Sequence, residues 1–540
     1  MNDKTVTLRY RMSDRDVFYG GGVVNGARSI TLMEDTAKRL MTKVYGSSSR
    51  VNEVKKVRLY VPCFAGDYME YIARVKKEEG TRVLVEVRSY KIIDVPENPP
   101  YPSSIDVLED PPLSTVVQFW FDRPEKEDKK DAKQEEEQQK EQQKAKQKRK
   151  PLEGLKVVDL TSALNGPFCT MILADYGAEV LKIEPVGGEQ CRTWGPLDEK
   201  SGESGFYNYV NRNKKGATLN LKSEKGRELF YKLVKDADIL VENYKGGVTK
   251  KLKIDYETIK KINPGIIYAS GSGFGQDSPI SHRPCYDIVA QAMGGMINLT
   301  GFKETNPVKV GPSVADHVAG IYLAVGVLLA LYNKEKTGQG QLVDVAMFDT
   351  IFSLLENAIV NYTVGGFIPE RNGNVDPSIA PFDVYECKDG FVALGVGNDR
   401  LFEKFCNTIH HEELLSDPRY KTNDLRCQNY IPELQQTIRT WCKDYTKKEI
   451  EAIMDENGIP CGPVLNVKEA IEHPHIQARN MMVHVNHPTA GDQYFQGCVM
   501  KLSETPGTVE TPSPLLGQHN CEIFGISKEE EAKLKEEGVM

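Results

Sequence analysis

Residues 122–150 read DRPEKEDKKDAKQEEEQQKEQQKAKQKRK, with almost no side chain able to enter a core. Such a segment cannot offset its ordering entropy by burying apolar surface, so it is expected to be a solvated linker. Its basic end, Lys148-Arg149-Lys150, reads as a linker charge run before it reads as a targeting or nucleic-acid patch. The break agrees with a length of 540 residues, beyond the roughly 250–300 at which one core stops growing. Folded domains are therefore expected at residues 1–121 and 151–540.

The two sides of the linker carry different periodicities. Before it, Val6, Leu8, Tyr10 and Met12 alternate as in a half-buried strand. Gly20-Gly21-Gly22 leads into a helical pattern at about 25–40, with Ile30, Met33, Ala37 and Leu40 on one face. Strand-like runs follow at 57–61, 68–75, 82–93 and 115–121. One long helix and a run of antiparallel strands predict an α+β layer, a sheet wrapped around the helix. After the linker the pattern is strand (155–160), helix (167–176), strand (179–183). Further strands are expected at 238–242, 266–270 and 342–345, separated by helices, the signature of an α/β parallel sheet.

The turn after the first of these strands reads Thr161-Ser162-Ala163-Leu164-Asn165-Gly166-Pro167. It lacks G-x-G-x-x-G, and the chain has no P-loop, so neither a nucleotide redox cofactor nor ATP chemistry is indicated. A net charge of −8 argues against a nucleic-acid partner. No uninterrupted apolar run approaches the roughly 20 residues needed to cross a bilayer, and the N-terminus lacks a signal-peptide core. Eleven cysteines stand singly, without C-x-x-C or zinc spacing. The expectation is free thiols, no metal and a cytoplasmic setting.

Six phrases in order resemble the class III coenzyme A transferase family, whose members act on formate, carnitine, aryl-lactates and bile acids. They are LEGLKVVDLTSALNGPFCTMILADYGAEVLKIEPVGGEQCR, NRNKKGATLNLKSEKG, ADILVENYKGGVTKKLKIDYETIKKINPGIIYASGSGFGQ, RPCYDIVAQAMGG, TGQGQLVDVAMFD and GIPCGPVLNVKEAIEHPHIQARNM. The match runs over nearly all of residues 151–540. It implies a Rossmann-like large domain, an inserted smaller domain at about 382–472, and an interlocked homodimer or higher homo-oligomer.

In that family the aspartate of Y-D-x-x-x-Q is the nucleophile, which the resemblance places at Asp287 in Tyr286-Asp287-Ile288-Val289-Ala290-Gln291. A carboxylate there exchanges acyl groups through anhydride and thioester intermediates without ATP. Read alone, Asp287 would be a helix cap, and it can be both. The resemblance also places CoA contacts at Arg192, Asn211, Arg212, Lys214 and Lys215, and at Asn243 and Lys245 of Glu242-Asn243-Tyr244-Lys245. Lys245 stands where the family has arginine, so bidentate phosphate geometry is lost there. A loop covering the intermediate corresponds to Arg371-Asn372-Gly373-Asn374. The racemases related to this family pair their aspartate with an upstream histidine, and none lies between Met1 and Ser281.

Residues 4–121 resemble the hotdog-fold β-alanyl-CoA and 3-aminobutyryl-CoA ammonia lyases through LRYRMSDRDVFYGGGVVNGARSITLMEDTAKRLM and VRLYVPCFAGDYMEYIARV. The resemblance implies a thioester carbonyl near the helix start at Asn25-Gly26, where orphan N–H groups stabilise an enolate oxygen. The domain has no histidine, so a carboxylate or tyrosine must be the base. Asp35 is the first candidate, followed by Glu34, Asp16 and Tyr19, although a helix carboxylate among Glu34, Lys38 and Arg39 also suits an i,i+4 ion pair. The expected activity is transfer of CoA from an acyl-CoA to a carboxylic acid, with ammonia removed from a resulting β-aminoacyl-CoA. The alternative is a bile- or aryl-acid transferase whose first domain is a thioesterase or a non-catalytic CoA-ester-binding, oligomerising unit.

Overall fold

The computed structural model describes residues 4–12, 26–46, 51–64, 67–94, 106–123 and 150–540. Gly20–Gly22, Asp16, Tyr19, Asn25 and nearly all of the charged 122–150 stretch lie outside them. The chain separates into two units, Met1–Gln143 and Lys144–Met540.

In the first unit the strands are β1 (Thr5–Arg11), β2 (Val51–Leu59), β3 (Tyr68–Glu79), β4 (Arg82–Asp94), β5 (Asp106–Val107) and β6 (Leu113–Asp122). They pair antiparallel in the order β1-β3-β4-β6-β2, with β5 beside β4. Helix α1 (Gly26–Tyr45) lays Met33, Ala37, Leu40 and Met41 on Tyr71, Ala73, Val85, Val87, Val117 and Phe119. It runs five residues past the expected end because Met41, Val44 and Tyr45 continue its apolar face. Strand β2 starts earlier than expected. It is an edge strand with most of its residues in solvent, so backbone pairing to β6 defines it and hydropathy does not.

The second unit is built on β7 (Lys156–Asp159), β8 (Glu179–Glu184), β9 (Lys214–Thr218), β10 (Ile239–Glu242), β11 (Ile267–Ser272) and β12 (Leu342–Ala346). All are parallel, in the order β12-β11-β10-β7-β8-β9. Alternate residues serve opposite faces. Val157, Ile239, Val241, Ile267 and Ala269 meet helices α2 (Asn165–Asp175) and α5 (Val314–Thr337). Val158, Leu240 and Tyr268 meet α3 (Glu224–Lys235) and Ile259 on the other side. Strands buried on both faces read as continuous apolar runs, which is why β7, β10 and β11 were legible. Strand β9, KKGAT, has no such run and is defined by its pairing to β8.

Two shorter helices complete the frame, α4 (Asp287–Met293) and α6 (Met347–Ser353). A separate hydrophobic core forms entirely from residues between Ala380 and Ile459, around strands β13 (Phe382–Cys387), β14 (Gly390–Gly395) and β15 (Cys461–Pro463). Helix α5 is long and apolar enough to cross a membrane by length and composition. Its uninterrupted apolar run is shorter, 318–332, because Asp316 and His317 precede it. One face, with Ala319, Leu323, Ala324 and Val327, packs on the sheet; Ile321, Tyr322, Val325, Leu329 and Tyr332 are exposed. The eleven cysteines carry no disulfide.

Candidate active site

Strand order reverses between β7 and β10, and in doubly wound sheets ligands bind in the crevice outside the strand ends at that point. The loops leaving these two strands are tied together there. Asn243 Nδ2 donates to the Ser162 carbonyl at 2.7 Å, and the Ser162 amide donates back to Asn243 Oδ1 at 2.9 Å. The Ala163 amide donates to Glu189 Oε2 at 2.9 Å, and Ala163 itself is held at φ +65°. This loop leads directly into α2 at Asn165, whose side-chain amide donates to the Gly271 carbonyl at the end of β11.

Chain leaving β11 returns past the same crevice. The Gly246 amide, next to Lys245, donates to the Ser281 carbonyl at 2.9 Å. Five residues on from Ser281 stands Tyr286, and Asp287 opens α4. The Asp287 side chain is 7% exposed. Its Oδ2 accepts from Gln291 Nε2 at 2.7 Å and its Oδ1 from the Ala315 amide at 2.8 Å. Gln291 is oriented in turn, since its Oε1 accepts the Val310 amide at 3.0 Å. A carboxylate so held keeps one rotamer at the starts of two helices, α4 and α5.

A second carboxyl sits beside it. Asp316 lies in the first turn of α5, and burial together with the charge of Asp287 pushes it up to about 7, against a smaller downward pull from the backbone of Asn165. The same two carboxylates, after burial, raise the Cys285 thiol to about 11, so Cys285 is not a nucleophile at neutral pH. Sequence reading passed over Asp316. Its signal was weak: one acid at a helix start, 29 residues beyond Asp287 by the sequence.

The basic residues expected to hold CoA divide into two groups. Arg212 pairs with Asp175 at 2.7 Å and donates to the Gln496 carbonyl at 2.6 Å, with its side chain closed to solvent. Lys214 donates to Asp159 Oδ2, the Pro167 carbonyl and Asn211 Oδ1. Asn211 itself donates to the Tyr207 carbonyl. Arg192 grips Glu184 with two bonds of 2.7 and 2.8 Å and stacks on the Tyr207 ring at 3.8 Å. In this arrangement Arg192, Asn211, Arg212 and Lys214 each have hydrogen-bond partners inside the fold. Alternation along β9 explains Lys214: it points inward, while Lys215 points out to Glu179 and Glu522, each at 2.7 Å. Lys245 is exposed at the crevice. Next to it lies a cleft of about 640 Å³ lined by Pro185, Val186, Leu221, Tyr244 and Lys251.

The loop expected to cover the site, 371–374, is strapped to another segment: Arg371 donates to the carbonyls of Asn298, Phe302 and Thr305. In the first unit, α1 begins at Gly26. Asp35 is on its exposed side, and its neighbour Glu34 forms the i,i+4 pair with Lys38 at 2.7 Å.

Comparison with known proteins agrees with the second unit. The model of CoA-transferase family III matches residues 152–520. The succinyl-CoA–D-citramalate CoA-transferase of Chloroflexus aurantiacus is 36% identical over 397 residues, 72% of this chain and 98% of the relative. The acetyl-CoA:oxalate CoA-transferase of Acetobacter aceti is 41% identical, over 69% of this chain and 95% of the relative. The crystal structure of a CAIB/BAIF family protein from Brucella suis superposes with a TM-score of 0.63 at 34% identity, covering 70% of this chain and 99% of that one. Family model, relatives and superposition together show that this chain belongs to CoA-transferase family III.

Proposed function

We propose that the second unit moves CoA from an acyl-CoA to a carboxylic acid through a covalent intermediate on Asp287. The reading rests on one observation: a buried carboxylate at the start of α4, fixed by Gln291 and the Ala315 amide beside the switch-point crevice. Asp287 attacks the donor thioester, its new C–O bond replacing the C–S bond and releasing CoA thiolate. The thiolate then attacks the Asp287 acyl carbon and expels the donor acid, leaving an aspartyl-CoA thioester. The acceptor acid runs the same two steps in reverse. CoA supplies the thiol and the binding handle of its phosphates; Lys245 and the neighbouring apolar cleft are the residues that would hold it.

For the acceptor we favour a short carboxylic acid. Relatives at 35–41% identity are named for D-citramalate, oxalate, mesaconate and glutarate. Residues 1–121 form, in our reading, a hotdog-like CoA-ester domain, supported by the 20-residue helix laid on an antiparallel sheet. A β-amino acid is then the second acceptor class to test, with Asp35 the proposed base for ammonia removal. The exposed apolar face of α5 supports a homodimer.

Mass spectrometry of the intact protein with succinyl-CoA or acetyl-CoA tests the reading against a panel of oxalate, glutarate, mesaconate, β-alanine, 3-aminobutyrate, a bile acid and an aryl acid. A CoA adduct on Asp287 and a new acyl-CoA, both lost in Asp287→Asn, are expected. An enoyl-CoA from β-alanine or 3-aminobutyrate would support the lyase; the aminoacyl-CoA alone would sink it. Transfer that survives in Asp287→Asn would overturn the nucleophile.

A further inference from the structure

Asp316 has no part in the exchange just described, yet its carboxyl lies at the same place. The residue before it, Ala315, donates its amide to Asp287, and the start of α2 at Asn165 is close enough to act on the Asp316 carboxyl. Glycine makes this approach possible: a Cβ at Gly320 would stand 2.6 Å from the Asn165 carbonyl oxygen and 3.1 Å from the Phe168 ring. Helices α5 and α2 therefore close on one another, and Asp316 is lodged, half-buried, between the first residues of α2 and α4.

The groups around it leave its proton in place. From α4 it faces Asp287, from the segment before α4 the neutral thiol of Cys285, and from α2 the Asn165 amide. On its own helix His317 turns away, its Nδ1 at 2.9 Å from the Ser313 carbonyl and its ring against Phe168 at 4.8 Å. Asp344 on β12 and Asp349 on α6, two further elements against α5, act on each other and on Asp277, and β11 presents only uncharged residues to it. Burial first, and then the neighbouring Asp287, disfavour ionisation of Asp316, while Asp287 accepts two hydrogen bonds. Asp316 is thus a carboxylic acid below about 7.

Resting on the assignment of Asp287 as nucleophile, we propose that Asp316, as a neutral acid, donates a hydrogen bond to the acceptor's carboxylate and turns its second oxygen toward the Asp287 acyl carbon. In that step the acceptor oxygen forms a C–O bond, the C–S bond of the aspartyl-CoA breaks, and its electron pair leaves on CoA thiolate. The Asp316 proton stays where it is. An ionised Asp316 would instead repel the incoming anion. Acylation removes the charge of Asp287, but burial, the larger cause, still favours the neutral form. The donor acid departs by the same step in reverse, so Asp316 serves both halves of the exchange.

The test measures kcat/KM for the acceptor that turns over fastest in the panel above, from about pH 5.5 to about pH 8.5, across the range where a raised carboxyl titrates. Wild type should lose activity toward the alkaline end, approaching tenfold per pH unit. Asp316→Asn, which keeps a donor but cannot ionise, should lose that decline. Asp316→Ala should lower acceptor kcat/KM by about thirtyfold or more, consistent with loss of one charge-orienting hydrogen bond, while the CoA adduct forms more slowly to the same extent. An alkaline decline retained in Asp316→Asn, or an unchanged acceptor kcat/KM in Asp316→Ala, overturns the proposal. Absence of any CoA adduct in wild type overturns the nucleophile reading instead.

Discussion

Lys214 and Asp159 form an ion pair closed to solvent on both sides, Nζ to Oδ2 at 3.1 Å. Burial favours the neutral form of both, and the pair offsets this with further bonds: Asp159 also accepts from Thr161 and Thr170, Lys214 donates to Pro167 and Asn211. With Lys182 nearby, these partners hold Asp159 down at about 2 against the upward push of burial. The pair lies beneath the 160–165 loop that shapes the crevice.

Removing one partner should therefore show as lost stability. Lys214→Met is expected to cost about 3–5 kcal/mol in urea unfolding, because it strands Asp159 without its cation. Lys245→Ala should stay within about 0.5 kcal/mol of wild type while raising KM for the acyl-CoA. A stable Lys214→Met with weakened CoA binding would instead support a ligand role for Lys214.

Glu242, at the end of β10, gives a pH prediction of opposite sign to ordinary carboxylates. Burial raises it to about 7, against bonds from Ser270 and the Tyr244 amide that lower it. The folded state then binds a proton more tightly than the unfolded one. Its contribution to stability is full below the ordinary glutamate value of 4.5 and is lost as pH rises through about 7. Glu242→Gln should be more stable than wild type at pH 8, by on the order of 3 kcal/mol, with no gain near pH 4. Thermal unfolding at the two pH values checks this.

Gln291 holds the nucleophile and is itself held by Val310. Gln291→Ala should lower kcat by about tenfold to a hundredfold, as small misplacements of a reacting group do, with KM for the acyl-CoA little changed. Equal losses in both parameters would mean that the residue supports binding and not orientation.

The charged 122–150 stretch predicts that the halves work apart. Cleavage or truncation there should leave residues 151–540 folded and competent in CoA transfer at near wild-type kcat. Loss of transfer on truncation would show that the first unit is needed for the second. Unfolding of each half, followed separately by circular dichroism, checks their independence.

Local chemistry made much of this legible. The apolar runs of β7, β10 and β11 announce strands covered on both faces, and the phrase around Asp287 places it at a helix start, where α4 begins. The first half of the edge strand β2 and all of the edge strand β9 carry no apolar alternation, so their backbone pairing alone defines them. Nor does any local pattern show that Arg212 and Lys214 are ion-paired inside the fold.

By itself, the sequence determined two regions of different pattern about a charged stretch, a parallel α/β sheet in the second, and its membership of CoA-transferase family III. Only the tertiary structure decided which charges are free. Asp159 and Lys214 are 55 residues apart and Arg192 reaches a carbonyl 322 residues away, so their neutralisation is invisible to any local pattern. It also decided that Asp316 stands beside Asp287. Burial and nearby charge set a carboxyl's ionisation, and both are properties of the folded neighbourhood, fixed here by the close approach of α5 to α2 and α4.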